Sequence, residues 1–200
     1  MIRLGDGIFT WGVFNPDKKY NFNGFILHSS QGTLVVDPPP LSADDQAYLE
    51  KSGLWPNWII ITNRNHVRDR QWWVERRSNT LTAMHFAEVS QVDIKVDRQL
   101  KEGDRFLGGI EILHLPGKSP GEIGLYWQER GALLIGDALI GDPPGGLRLL
   151  PAAKIDDPKA LKASLKKIDE LSFDTLLLAD GDPILRNAKL HASIFISSLP

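Results

Sequence analysis

The 200-residue chain contains no cysteine, which excludes disulfides, thiolate metal sites and cysteine nucleophiles and leaves the redox compartment open. Long apolar runs are missing as well: no stretch approaches the roughly 18 uninterrupted apolar residues that mark a membrane helix. The first residues, MIRLGDGIFTWGVF, lack the cationic start and apolar core of a secretory signal. A cytoplasmic, non-membrane protein is the expectation. Charge of one sign is not in excess, since 23 Lys and Arg face 25 Asp and Glu for a net charge of −2. The cations are scattered, so nucleic acid is not an expected partner. There is no linker, composition break, internal repeat or low-complexity tract. With 42% hydrophobic residues, the chain can bury one substantial core, and a single domain over residues 1–200 is expected.

The patterns that are present alternate strands with turns. Strands are predicted over 7–13, 23–28 and 33–37, the last two separated by Gly32 and paired antiparallel. Three prolines at 38–40 stop the sheet, and 43–51 has the composition of a short helix ending before Gly53. The continuous apolar run 58–62 reads as a strand covered on both faces. A polar stretch, 63–69, follows it, and a helix over 70–78 carries Trp72 and Trp73. Short strands are predicted at 80–84, 93–96 and 109–115, and a hairpin over 122–136 turns at residues 128–131. Asp157 is an N-cap with Pro158 at the first helical position, and Leu161, Leu165, Ile168 and Leu171 share one face. Residues 175–178 form a buried strand before Ala179-Asp180-Gly181-Asp182-Pro183, and an amphipathic helix closes the chain.

Several of these turns form an ordered set. Asn23-Gly24-Phe25-Ile26-Leu27 is followed by Gly32-Thr33-Leu34-Val35-Val36-Asp37. Later come Gly103-Asp104, then Pro116-Gly117-Lys118-Ser119-Pro120-Gly121, then Leu133-Leu134-Ile135-Gly136-Asp137. In order and spacing, across nearly the whole chain, this succession resembles the metallo-β-lactamase superfamily. The resemblance implies an α/β (α+β) fold, a four-layer αββα sandwich with its site along one edge of two sheets. It also implies an ancestral metal-dependent hydrolase of an ester, thioester, amide or phosphoester.

The same resemblance shows where the chain departs from its family. The family's Thr-His-x-His-x-Asp-His falls on Thr62-Asn63-Arg64-Asn65-His66-Val67-Arg68, so Asn63, Asn65, Val67 and Arg68 stand at ligand positions. Lys118 stands for a further histidine, Gly181 is expected to stand for the last one, and Asp137, the bridging carboxylate, is kept. Catalytic zinc needs about three protein ligands and an open position, and a dinuclear centre spaces its metals roughly 3.5–4 Å apart. One carboxylate does not supply that, and two new cations would repel a metal. No metal and no cofactor are therefore expected. Asn63, Asn65, His66, Arg68, Lys118, Asp137, Asp180 and Asp182 are expected to line a remnant pocket, with Lys118 or Arg68 balancing Asp137.

Three functions are compatible with this pattern. One is a metal-free, non-catalytic binding module, with a small-molecule ligand as the expected partner. Another is a hydrolase using His66 as general base with Lys118 or Arg68 stabilising an oxyanion. In the third, a hard cation is held through the oxygens of Asn63, Asn65 and Asp137. The identity of the ligand and the oligomeric state are not encoded in any motif of the chain. His28, His85, His114 and His191 match no ligand position and are expected to be structural.

Overall fold

The computed structural model describes residues 1–199. One sheet contains seven strands in chain order: β1 (Ile2–Gly5), β2 (Ile8–Asn15), β3 (Tyr20–Ser29), β4 (Gly32–Val36), β5 (Trp58–Ile61), β6 (Leu81–His85) and β7 (Arg98–Leu100). The first four form an antiparallel meander and β4 to β7 run parallel. The second sheet has the order β12-β11-β10-β9-β8, built from β8 (Arg105–Phe106), β9 (Ile110–His114), β10 (Ile123–Trp127), β11 (Ala132–Ile135) and β12 (Thr175–Leu178). Only its β11–β12 pair is parallel.

Period-two alternation sorts the strand residues between layers. Leu34, Val36 and Ile60 of the first sheet meet Ile112, Leu125, Leu134 and Leu177 of the second in a buried core between the sheets. The intervening residues face outward. Val35, Ile59 and Ile61 pack under Leu49 of α1 (Ala43–Ser52) and Trp73 of α2 (Arg70–Arg76). Leu133, Ile135, Leu176 and Leu178 pack under α3 (Pro158–Asp169) and α4 (Ala188–Ser198). The result is the expected helix–sheet–sheet–helix sandwich, and the strand Trp58–Ile61 is apolar throughout because both of its faces are covered.

Local chemistry sets the helix ends. The Ser42 hydroxyl accepts from Asp45 N at the start of α1, and Gly53 closes that helix in the left-handed region. Asp157 caps α3 through Ala160 N at 2.9 Å, with Pro158 at its first position. Two expectations need correction. Residues 93–96 form no strand: Val92, Ile94 and Val96 pack on the α1–α2 side of the first sheet without ladder partners, so alternation there reflects packing rather than pairing. The strands β1, β7 and β8 were not predicted, because four, three and two residues are too short to show a pattern. No helix among the described residues is long and apolar enough to cross a membrane.

Candidate functional site

The loops that follow β4, β5, β9, β11 and β12 meet at one edge of the sandwich, and backbone bonds between the sheets hold them there. Ile123 N donates to Thr62 O at 3.0 Å, and Asn23 N donates to Ala179 O at 2.8 Å. The Asn23 side-chain amide donates to Leu178 O at 2.9 Å and to Gly181 O at 2.5 Å. This gives Asn23, in the early motif, a structural duty: it staples the first sheet to the loop after β12.

His66 is at the centre, 4% exposed. Its Nδ1 lies 2.8 Å from Asp37 Oδ2 and 3.0 Å from Thr62 Oγ1, and its Nε2 lies 3.3 Å from Asp137 Oδ1. Asp37, fully buried, also accepts from Thr62 N at 2.8 Å and from Thr62 Oγ1 at 2.5 Å. Burial and the Arg68 charge disfavour protonation of this imidazole, but the flanking Asp137 and Asp37 outweigh them and lift its pKa to about 10. Clamped between two carboxylates, the ring is favoured in its protonated form at neutral pH.

Lys118 and Arg68 complete the cluster. Lys118 Nζ lies 2.7 Å from Asp137 Oδ2 and donates to Asn63 Oδ1 at 3.0 Å and Asn65 Oδ1 at 2.6 Å. An ammonium has three protons, and all three find acceptors here. The Arg68 guanidinium donates to Asp180 Oδ1 at 2.7 Å and to the carbonyls of Asn23, Asp37 and Ala179 at 2.7, 2.9 and 3.3 Å. Arg68 thus joins three loops. Asp137 is pushed down because His66 and Lys118 together outweigh its burial. Asp180 moves up, since burial and the nearby Asp137 outweigh the pull of His66 and Arg68. Formally, the carboxylates Asp37, Asp137 and Asp180 face the cations His66, Arg68 and Lys118, so the cluster sums to zero.

Seven of the eight residues read from the sequence therefore come together, with Asn65 on the exposed side. Asp182 does not join them. Its backbone N donates to Gly141 O at 2.7 Å, and its side chain borders a separate crevice near Phe14 and Pro144. At the last loop it is Asp180 that reaches the cluster, whereas a Cβ at Gly181, whose φ is +86°, would collide with the Gly141 backbone. Residue 181 is a turn position that L side chains rarely adopt.

Four site residues escaped sequence reasoning. Asp37 and Thr62 end their strands and form the floor under His66. Glu122 is fully buried, its Oε1 accepts from Asp137 N at 2.6 Å, and its Oε2 has no partner among the described residues. Burial, then the Asp137 charge, raise its pKa well above the carboxylate range, so the neutral acid is favoured. Gly136 permits the approach, because a Cβ there would overlap Glu122 Oε1. Glu88, also fully buried, accepts from Gly121 N at 3.0 Å and from Arg64 N, joining the loop after β5 to the loop after β9. A lone acid at the mouth of an apolar strand, as in Gly121-Glu122-Ile123, is the signal that was available.

The remaining histidines stay out of the cluster. His85 stacks on His114 with ring centroids 4.1 Å apart, and burial and that neighbour depress its pKa to about 4. Trp73 is buried under the first sheet while Trp72 stacks on Trp55, so neither faces the site.

Could this cluster hold a metal? His66, Asp137 and Asp180 each offer an atom within 4.8 Å of the others, and Asp37 orients His66 as carboxylates orient ligating histidines elsewhere. The surrounding donors do not fit. A dinuclear centre needs donors where Asn63 and Asn65 turn their amide oxygens to Lys118, and each remaining carboxylate already holds a cation at 2.7 Å. His66 would also have to give up its proton between two carboxylates.

Above the cluster opens a cavity of about 480 Å³, in the range of small-molecule sites. Tyr20 and Phe22 of β3 border it, as do Leu150 and Ala153 from the loop before α3. Burial, followed by the Asp180 charge, raises the Tyr20 phenol to about 12, so it stays a donor.

A family model described as metallo-beta-lactamase superfamily matches residues 4–199. A hydroxyacylglutathione hydrolase of Brucella anthropi is 25% identical over 177 residues, 86% of this chain and 65% of that protein. One of Cereibacter sphaeroides is 26% identical over 176 residues, 85% and 66% respectively. The chain thus spans about two thirds of the length of these curated relatives. Among solved structures, TTHA1623 in a di-iron-bound form aligns with a TM-score of 0.71 at 25% identity, covering 88% of this chain and 94% of that one. A metallo-beta-lactamase from Erythrobacter litoralis aligns at 0.76 with 14% identity, covering 99% and 96%, a likeness of fold alone.

Proposed function

Because the chain belongs to the metallo-beta-lactamase superfamily, we propose that it is a member in which a proton and two side-chain cations take the place of the metal centre, and whose pocket binds a small molecule without metal. The observation that carries this is the closed set of contacts around Asp137: His66 on one oxygen at 3.3 Å, Lys118 on the other at 2.7 Å. A bridging carboxylate in this fold faces metals; this one faces a histidine and a lysine. A buried carboxylate needs compensation wherever it stands, and here every compensating charge is covalently part of the chain.

The hydrolase names of the relatives favour a second function, hydrolysis, and the His66–Asp137–Asp180 triad is the observation that keeps it in view. Metal-assisted hydrolysis would require Lys118 and Arg68 to release their carboxylates and His66 to lose its proton. Hydrolysis without metal would need a free base, and the two carboxylates that flank His66 favour its protonated form instead.

Elemental analysis of protein purified without chelator, with a calorimetric zinc titration, separates these functions. The proposal expects no stoichiometric metal, no saturable zinc binding at the cluster and no change in melting temperature with chelator. One equivalent of zinc, iron or manganese lost on Asp137→Asn would overturn it.

A further inference from the structure

We propose that the cavity above the cluster binds a small organic anion, a carboxylate or phosphate group carried on an apolar or aromatic body. This rests on the metal-free pocket proposed above and names its ligand class. The cations bordering the cavity are Lys18, Arg64, His66, Arg68, Lys118 and Lys154, against the carboxylates Asp137, Asp156 and Asp180. Three of these cations are engaged within the wall: Lys118 with Asp137, Arg68 with Asp180, and Arg64 with Asp156 at 2.7 Å. His66 is shared between Asp137 and Asp37 beneath the floor.

Lys18 and Lys154 are left. Both are exposed at the mouth, and neither ammonium has a hydrogen-bond or ion-pair partner among the described residues. They come from separate segments: Lys18 from the β2–β3 connection and Lys154 from the short helical turn Ala152–Lys154. The mouth therefore carries two ammonium groups without partners above a wall whose lysine and arginine charges are paired, a field that draws anions in. Cations alone would bind any anion weakly. The walls add selectivity, because Phe22, Leu150 and Ala153 border the cavity beside the largely buried Tyr20, whose ring packs on Phe22. A metal-bound water has no part in this arrangement; the ligand's charge is met by lysines at the rim.

The test uses phenyl phosphate as probe, with phenylacetate as the carboxylate arm, inorganic phosphate as the headgroup alone and benzyl alcohol as the neutral body alone. Binding is followed by chemical-shift changes of Tyr20 and Phe22 in the full chain, with and without chelator. Phenyl phosphate or phenylacetate is expected to bind at millimolar concentration or tighter, to weaken with added salt, and to exceed both inorganic phosphate and benzyl alcohol. The double variant Lys18→Gln with Lys154→Gln alters only exposed side chains and should weaken binding on the order of fivefold. Equal binding of benzyl alcohol, no binding of either aryl anion, or full affinity in the double variant overturns the anion proposal and leaves the metal-free site standing. Anion binding abolished by chelator would overturn the metal-free site instead.

Discussion

Lys118 Nζ lies 2.7 Å from Asp137 Oδ2, and the two side chains are 6% and 7% exposed. At that burial the pair is not a solvated surface ion pair; removing one partner strands the other in a poorly hydrated site, which typically costs about 3–5 kcal/mol. Lys118→Met should therefore destabilise the fold strongly, and Asp137→Asn should do so less, because the amide still accepts from Lys118. A double-mutant cycle by denaturant unfolding should show coupling of about 1–3 kcal/mol. Coupling near zero would mean that the lysine does not balance the carboxylate.

Arg68 gives an independent prediction. Its guanidinium reaches the carbonyls of Asn23, Asp37 and Ala179 as well as Asp180, a fan of donors that lysine cannot reproduce. Arg68→Lys should keep the charge yet cost on the order of 2 kcal/mol, because the Asn23 and Asp37 carbonyls lose the guanidinium donors while Ala179 O keeps Asn23 N. A neutral outcome in chemical denaturation would place the role of Arg68 in charge alone.

The pH dependence follows from His66 and Asp137 with opposite signs. The folded pKa of His66 is raised to about 10 from an unfolded value near 6.5. Its contribution is thus fully present below about pH 6.5 and is lost as pH rises through about 10. Asp137 is depressed, so its contribution is present above about pH 4 and is lost as pH falls through its folded value. Unfolding free energies measured across the alkaline range should decline in the wild type and flatten in His66→Gln. An unchanged slope in that variant would contradict the assignment.

Glu122 behaves in the reverse way, because burial raises its folded pKa well above the carboxylate range. The neutral acid is preferred in the fold, so this residue lowers stability progressively as pH rises above its unfolded value near 4.3. Glu122→Gln keeps an oxygen for Asp137 N without a charge to desolvate, and should equal or exceed the wild type near neutral pH. Glu122→Ala should lose about 1–3 kcal/mol by leaving that N–H unpaired. A Gln variant as unstable as the Ala variant would show that the ionised form is the native one.

Much of this was legible in the chain, and the limits have physical causes. The turn motifs placed the loops correctly because glycine, proline and aspartate at strand ends act locally; Gly136-Asp137 and Pro116-Gly117-Lys118 needed nothing distant to be recognised. The apolar 58–62 run revealed a strand covered twice. What stayed hidden depends on long-range partners. Asp37 reads as a strand-ending turn residue until His66 and Thr62 arrive from 25 or more positions away, at bonds of 2.5 to 2.8 Å. Glu122 matters only because Gly136 leaves room for it. The choice between residues 180 and 181 turns on a backbone angle that spacing does not encode, and the alternation over 92–96 is common to a strand and to a packed irregular segment.

In the function proposed above a proton on His66 helps to stand in for metal, and the ring nitrogens report it directly. Long-range nitrogen–proton correlation NMR of the histidine side chains, recorded at about pH 8, well above the ordinary histidine value near 6.5, distinguishes an imidazolium from a neutral or metal-bound ring. The structure predicts that Nδ1 and Nε2 of His66 are both protonated, Nδ1 toward Asp37 and Nε2 toward Asp137, with shifts that do not move on adding zinc. An unprotonated Nε2 that shifts when zinc is added would contradict the account and return the cluster to metal chemistry.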